Sequence, residues 1–268
     1  MPRSMWKGAI TFGLITIPVR LYTATEEKTV KFNMLHGKDG GRIKYQRVCS
    51  VDGQEVPWDE IVRGHEYEKD HYVTFTDDEL DSALGDMARA IDVVHFVPLE
   101  QIDPVLFQKS YYVAPEPTGV KAYKLLIEAL KKSGKVAIAR VALREKEHLA
   151  TLRSSGGVFI METMYWPDEV RAAEFEELGK QVDIRDAELD MAMSIIDNLS
   201  QDFDAKEYHD RTREAVEAMI ERKVKGQEVV ATEGAEPAPV VDLMAALRAS
   251  VEATKARKAE REAAADSG

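Results

Sequence analysis

At Trp166-Pro167-Asp168 the apolar residues of this sequence change from mainly alternating to helical spacing, and that switch limits the folds open to it. Upstream, short segments alternate apolar with polar residues, as strands with one buried face do. Ile10, Phe12 and Leu14 alternate, and Ile17, Val19 and Leu21 resume the alternation after a slip of one residue. This predicts one extended stretch over residues 9–23, with a bulge or an edge position beside Pro18. Residues 71–75, 91–97, 110–114, 135–143, 149–154 and 158–164 are further strand candidates. Strands so short and so numerous point to a barrel or a sandwich. A helix is inserted among them: Thr118 can cap it, Leu125, Leu126, Ala129 and Leu130 form its apolar stripe, and Gly134 can end it. Downstream of the switch, Leu189, Met193, Ile196 and Leu199 fall at helical spacing, followed by Tyr208, Thr212, Val216, Met219 and Ile220. The expected class is α+β, a strand-built core followed by helices whose stripes need a partner surface.

Charge is partitioned along the chain. The whole carries 48 acids against 36 bases, a net charge of -12, which by itself disfavours a polyanion as partner. Between Lys28 and Arg47, however, six bases (Lys28, Lys31, Lys38, Arg42, Lys44 and Arg47) stand against one acid, Asp39. There Val30, Phe32 and Met34 alternate with Lys31 and Asn33, and Ile43 and Tyr45 with Arg42 and Lys44, about a Lys38-Asp39-Gly40-Gly41 turn. The pattern predicts a hairpin with an apolar face and a cationic one. Its cations suit phosphate contact, and its glycines let backbone approach a partner closely; a solvated hairpin tip has the same composition. A second stretch, Lys121 to Arg153, holds nine bases against three acids, with Lys121, Lys124, Lys131 and Lys132 on the inserted helix. Such patches can hold polyanion within an acidic chain, because charge is screened over about 10 Å at moderate salt.

Signatures of catalysis are poor. No Gly-x-Gly-x-x-Gly, Gly-x-x-x-x-Gly-Lys, His-Glu-x-x-His or Gly-x-Ser-x-Gly pattern occurs, so an enzyme is not expected. Asp77-Asp78-Glu79 resembles an acidic metal cluster, and a metal-dependent hydrolase would have to use Asp70, His71, Asp77 and His95; Thr76 before Glu79 instead fits a capped helix start, which is the expectation. Neither a metal nor a cofactor is expected. A lone cysteine, Cys49, excludes an internal disulfide and fits a reducing compartment. No run approaches the roughly 20 apolar residues of a membrane helix, and the first residues lack a signal's apolar core, so a cytoplasmic protein is expected. Residues 227–239 have the composition of a flexible linker, and beyond them Asp242 can cap a short helix with Leu243, Leu247 and Val251 on one side. Such a helix is marginal alone, so it orders in a partner's groove or folds back on its own chain.

The block Ser4-Met5-Trp6-Lys7-Gly8-Ala9-Ile10-Thr11-Phe12-Gly13-Leu14, with Ile17-Pro18-Val19-Arg20-Leu21-Tyr22, closely resembles the opening of bacterial Ku proteins. Later blocks agree in order, among them Thr74-Phe75-Thr76-Asp77-Asp78-Glu79-Leu80, Ile102-Asp103-Pro104, Lys109-Ser110-Tyr111-Tyr112-Val113 and Tyr165-Trp166-Pro167-Asp168-Glu169-Val170-Arg171. The resemblance spans nearly the whole chain. It implies a Ku-type β-barrel with a bridge-forming hairpin over residues 1–185, a helical dimerisation arm over 186–226, a flexible linker over 227–240 and a ligase-recruiting tail over 241–268. In function it implies a homodimeric ring that threads onto double-stranded DNA ends without reading bases, protects them, and recruits and stimulates the multifunctional ATP-dependent ligase of non-homologous end joining, ligase D. Such a protein would be nucleoid-associated when bound to DNA. The candidate phosphate contacts are then Arg20, Lys31, Lys38, Arg42, Lys44 and Arg47, followed by Lys109, Lys121, Lys124, Arg140 and Arg144. The candidate ligase contacts are Asp242, Leu243, Leu247 and Val251. Two departures stand out. Where many relatives have Cys-x-x-Cys this chain has Cys49-Ser50-Val51-Asp52, and in place of a long lysine-rich extension it has Lys255, Arg257, Lys258 and Arg261 mixed with acids. A zinc knuckle and tail-assisted bridging of DNA are therefore not expected.

Overall fold

Gly13 sits at φ 56°, a left-handed backbone that side chains resist, and there the N-terminal sequence turns back on itself. The stretch read as one extended segment over 9–23 is thus two strands. β1 (Trp6–Phe12) and β2 (Ile15–Thr23) pair antiparallel from Phe12↔Ile15 to Trp6↔Leu21. The slip in the apolar alternation marks the tight turn at Gly13-Leu14, with Leu14 fully exposed, and not a bulge at Pro18. Pro18 lies inside β2 opposite Ala9, and its carbonyl accepts the Glu116 N–H at 2.8 Å.

The computed structural model describes residues 3–84, 89–143, 146–226 and 247–256. They fall into two units, Met1–Lys28 with Phe32–Ala173 and Thr29–Lys31 with Glu174–Gly268. In the first, β1 and β2 join β5 (Ala90–Pro98), β6 (Phe107–Pro115), β7 (Lys135–Leu143), β8 (Lys146–Ser155) and β9 (Val158–Met164) in a closed barrel of order β1-β2-β6-β9-β8-β7-β5. Neighbours are antiparallel except at the closure, where β1 meets β5 in parallel through Ala9↔Ala90, Ile10↔Ile91 and Thr11↔Asp92. Closure leaves the barrel no strand edge to pair with another chain. Gly8 is required at this seam, because a Cβ there would lie 2.2 Å from the Trp6 ring and 2.3 Å from the Arg89 carbonyl. Ile10, Val19, Leu21, Ile91, Val113, Leu152, Phe159 and Met161 form the core, all essentially inaccessible to solvent.

The inserted helix is α2 (Val120–Ser133), ending at Gly134 as its spacing predicts. Two details differ. Thr118 does not cap it: a 3-10 turn, Pro117–Gly119, leads into the helix and no side chain bonds its first N–H groups. The buried face is Tyr123, Leu126, Ile127 and Leu130, while Leu125 and Ala129 point to solvent. Tyr123 sets that rotation, since its hydroxyl donates to the Val113 carbonyl and accepts the Phe159 N–H, at the end of the β6–β9 pairing. A two-stranded sheet, β3 (Arg63–Glu68) with β4 (His71–Phe75), stands outside the barrel with every residue exposed. α1 (Asp77–Leu84) follows it, started by the capping box in which Thr76 Oγ1 accepts the Glu79 N–H and the Glu79 carboxylate accepts the Thr76 N–H.

The second unit contains α3 (Asp186–Leu199), α4 (Arg211–Val224) and a terminal helix, α5, over residues 247–256. Glu188 accepts the Arg185 N–H at the start of α3, and Asp210 accepts the Arg213 N–H at the start of α4. Leu189, Met193, Ile196 and Leu199 lie 49–58% exposed. The stripe exists as the spacing predicts, and none of the described residues covers it.

Candidate nucleic-acid interface

Asp39 is the acid of the 28–47 stretch, and the turn consumes it. Its carboxylate accepts the Gly41 N–H at 2.9 Å and lies 2.9 Å from His36 Nδ1, and these bonds, the Gly41 one foremost, hold it below the usual carboxylate range. The pairing around this turn is narrower than a full hairpin: one bridge, Leu35↔Arg42, with the Ile43 N–H on the Met34 carbonyl at 3.0 Å. A second bridge, Val48↔Glu55, closes another turn in which the Cys49 N–H reaches the Gln54 carbonyl. Long regular strands do not form because the apolar side has no cover: Phe32, Met34, Ile43 and Tyr45 are 74%, 59%, 47% and 78% exposed.

The cations of this ribbon divide by partner. Arg42 bonds the Asn33 side-chain oxygen and Arg47 stacks on Trp58, 4.9 Å from the ring centroid, so both guanidinium groups are oriented while keeping their charge. Lys38 and Lys44 are exposed and have no ion-pair partner among the described residues. Lys31 is exposed too, but belongs to the second unit.

On the barrel most bases are matched. Arg20 Nε donates to Glu116 Oε1 at 2.9 Å, and Lys7 Nζ reaches the same oxygen at 3.2 Å. The Arg20 hydrogen bond, then that of Lys7, holds the Glu116 carboxyl below its ordinary value. Arg140 lies 3.8 Å from Glu147, Lys146 2.9 Å from Glu169, and Arg153 is clamped to Glu162 at 2.8 and 3.1 Å. Lys109 stands 5.9 Å over the Tyr111 ring. The solvent face of α2 differs. Lys121, Lys124, Lys131 and Lys132 are exposed along its 14 residues, about 21 Å, with no ion-pair partner among the described residues. Lys131 and Lys132 were absent from the candidate contacts, although helical spacing from Lys124 and Lys121 puts them on this same face. Lys7 was missed as well, because its tie to Glu116 spans 109 residues and leaves no local signal.

Of the other candidates, Arg144, Asp242 and Leu243 lie outside the described residues. Leu247 and Val251 are half-buried on α5. Among the described residues no group of three or more His, Cys, Asp or Glu side chains could hold a metal, and Asp77, counted among possible ligands, faces Arg63 at 3.5 Å. No helix among them is long and apolar enough to cross a membrane.

Comparison with known proteins places these features in a family. The Ku70/Ku80 beta-barrel domain matches residues 11–191. A protein of Frankia casuarinae named Non-homologous end joining protein Ku is 51% identical over 255 residues, which cover 95% of this chain and 64% of that protein. Proteins of the same name from Desulfitobacterium hafniense and Bacillus subtilis are 43% and 41% identical, over 95% and 98% of this chain and 89% and 86% of theirs. The chain thus spans under two thirds of the Frankia protein and most of the other two.

Proposed function

This chain belongs to the Ku family, and on that premise we propose that it binds the ends of double-stranded DNA in non-homologous end joining, as a homodimeric ring that does not read bases. The observation that carries the reading is the set of cations left without counter-ions. Lys38, Lys44, Lys121, Lys124, Lys131 and Lys132 have no carboxylate partner among the described residues, while Arg20, Arg140, Lys146 and Arg153 each have one. Exposed lysines and oriented arginines supply sequence-neutral phosphate contact, which is enough for an end binder. Binding, rather than catalysis, is the role they suit.

The second unit supports a different role. From Glu174 to Asp210 the sequence has 12 acids against 3 bases, a charge that repels duplex, and carries the exposed stripe Leu189, Met193, Ile196 and Leu199. An acidic surface with an apolar stripe suits protein, and we assign it to a second copy. In this reading residues 1–185 make the DNA-encircling body, 186–226 the dimerisation arm, 227–240 a tether, and 241–268 a tail that recruits and stimulates ligase D. Mobility shifts with linear duplexes of unrelated sequence test the DNA reading: equal affinities are expected, and a strong preference for one sequence contradicts it.

A further inference from the structure

α3 has two usable faces. Ala187, Asp190, Met191 and Ser194, spaced i, i+3, i+4, i+7, form one wall of a cleft of about 550 Å³. The facing wall is α5, through Arg248, Val251, Glu252 and Lys255 at the same spacing. Matching stripes of this kind are how two helices lie along one another. Val251 is half-buried, and on the adjoining face of α5 Leu247 is half-buried and Thr254 is 9% exposed. The Thr254 hydroxyl donates back to the Ser250 and Val251 carbonyls at 2.8 and 3.0 Å, so it is covered without an unmet polar group. At 100° per residue the exposed stripe Leu189, Met193 and Ile196 falls on the opposite side of α3. Docking of α5 therefore leaves that stripe open.

We propose that α5 on α3 is an autoinhibitory latch over the recruiting tail. The inference rests on the reading that the tail binds ligase, and adds that Val251 is held against α3 in the free chain. A ligase groove and α3 then compete for one narrow apolar stripe. The apparent affinity for ligase is the intrinsic affinity reduced by the fraction of tails undocked.

The test uses the full chain, with hydrogen exchange of residues 247–256 and titration with the ATP-dependent end-joining ligase of the same cell as readouts. Met191→Arg and, independently, Ser194→Arg place a positive charge on α3 opposite Arg248 and Lys255 without touching the tail, and far-UV circular dichroism checks that α3 persists. Both should speed α5 amide exchange and tighten ligase binding, each by about tenfold if about nine tails in ten are docked. Val251→Glu added to Met191→Arg, in which the latch is already open, should weaken ligase binding by about tenfold or more relative to Met191→Arg alone. Unchanged exchange in both α3 variants overturns the docking. Faster exchange with unchanged ligase affinity overturns the latch and leaves recruitment standing. Unchanged ligase affinity on adding Val251→Glu to Met191→Arg overturns recruitment by this helix, and the latch with it.

Discussion

Arg20 donates from Nε to Glu116 Oε1 at 2.9 Å across 96 residues of sequence, so one of the leading candidates for phosphate contact is already neutralised. Lys7 shares that oxygen. Glu116→Gln removes the negative charge and frees both cations. Affinity for linear duplex at moderate salt should rise several-fold, and the plot of log affinity against log salt should steepen by up to about 0.9 for each phosphate newly engaged. Unchanged affinity and slope would put Arg20 and Lys7 off the DNA path. Because the Arg20 and Lys7 bonds depress the Glu116 carboxyl, the pair is fully formed above the ordinary carboxylate value and is lost as pH falls through the depressed one. The titrations therefore belong near neutral pH.

Replacing Arg42, Lys44 and Arg47 by Glu should weaken end binding by at least about 100-fold, since three attractive charges become repulsive at the ribbon. The dimer should persist, because these side chains lie outside the arm. Sedimentation reads assembly and mobility shift reads binding. Retained DNA binding in the triple variant would move the phosphate cradle elsewhere, with the lysines of α2 next in line.

The apolar stripe of α3 stays about half exposed among the described residues. Met193→Gln with Ile196→Gln removes two side chains worth about 1.5–3 kcal/mol of burial each. The dimer should weaken more than about 100-fold and sedimentation should report monomer. A soluble double variant that stays fully dimeric would show that another surface joins the copies.

Tyr123→Phe keeps the ring that meets Phe159 edge-on at 4.8 Å and deletes the hydroxyl between the Val113 carbonyl and the Phe159 N–H. Two buried backbone groups lose a partner, so denaturant unfolding should show a loss of about 1–3 kcal/mol. No loss would mean the barrel relaxes to pair those groups itself.

Much of the barrel was legible in period alone. Residues 135–143 and 158–164 were bounded correctly because their inner residues, such as Ala139, Val141, Phe159 and Met161, are core and the alternation is strong. β3 was not, because Arg63-Gly64-His65-Glu66-Tyr67-Glu68 buries neither face and so carries no pattern. The turn at Gly13 was hidden because a tight turn and a bulge both shift alternation by one residue. The α2 stripe came out rotated, since the anchor is a tyrosine whose bonds reach β6 and β9 rather than another aliphatic residue. For the interface, sequence located the basic stretches but not their neutralisation. The carboxylates on Arg20 and Arg140 come from other strands or loops, and only the fold brings them together.

A ring that threads onto DNA needs a free end, and competition between DNA forms reads that need. The chain bound to a labelled linear duplex is challenged with unlabelled linear DNA, or with the same DNA covalently closed into a circle, at one salt concentration. A threaded ring predicts that linear DNA displaces the label in proportion to its ends while the circle competes poorly. Equal competition by the circle would contradict it.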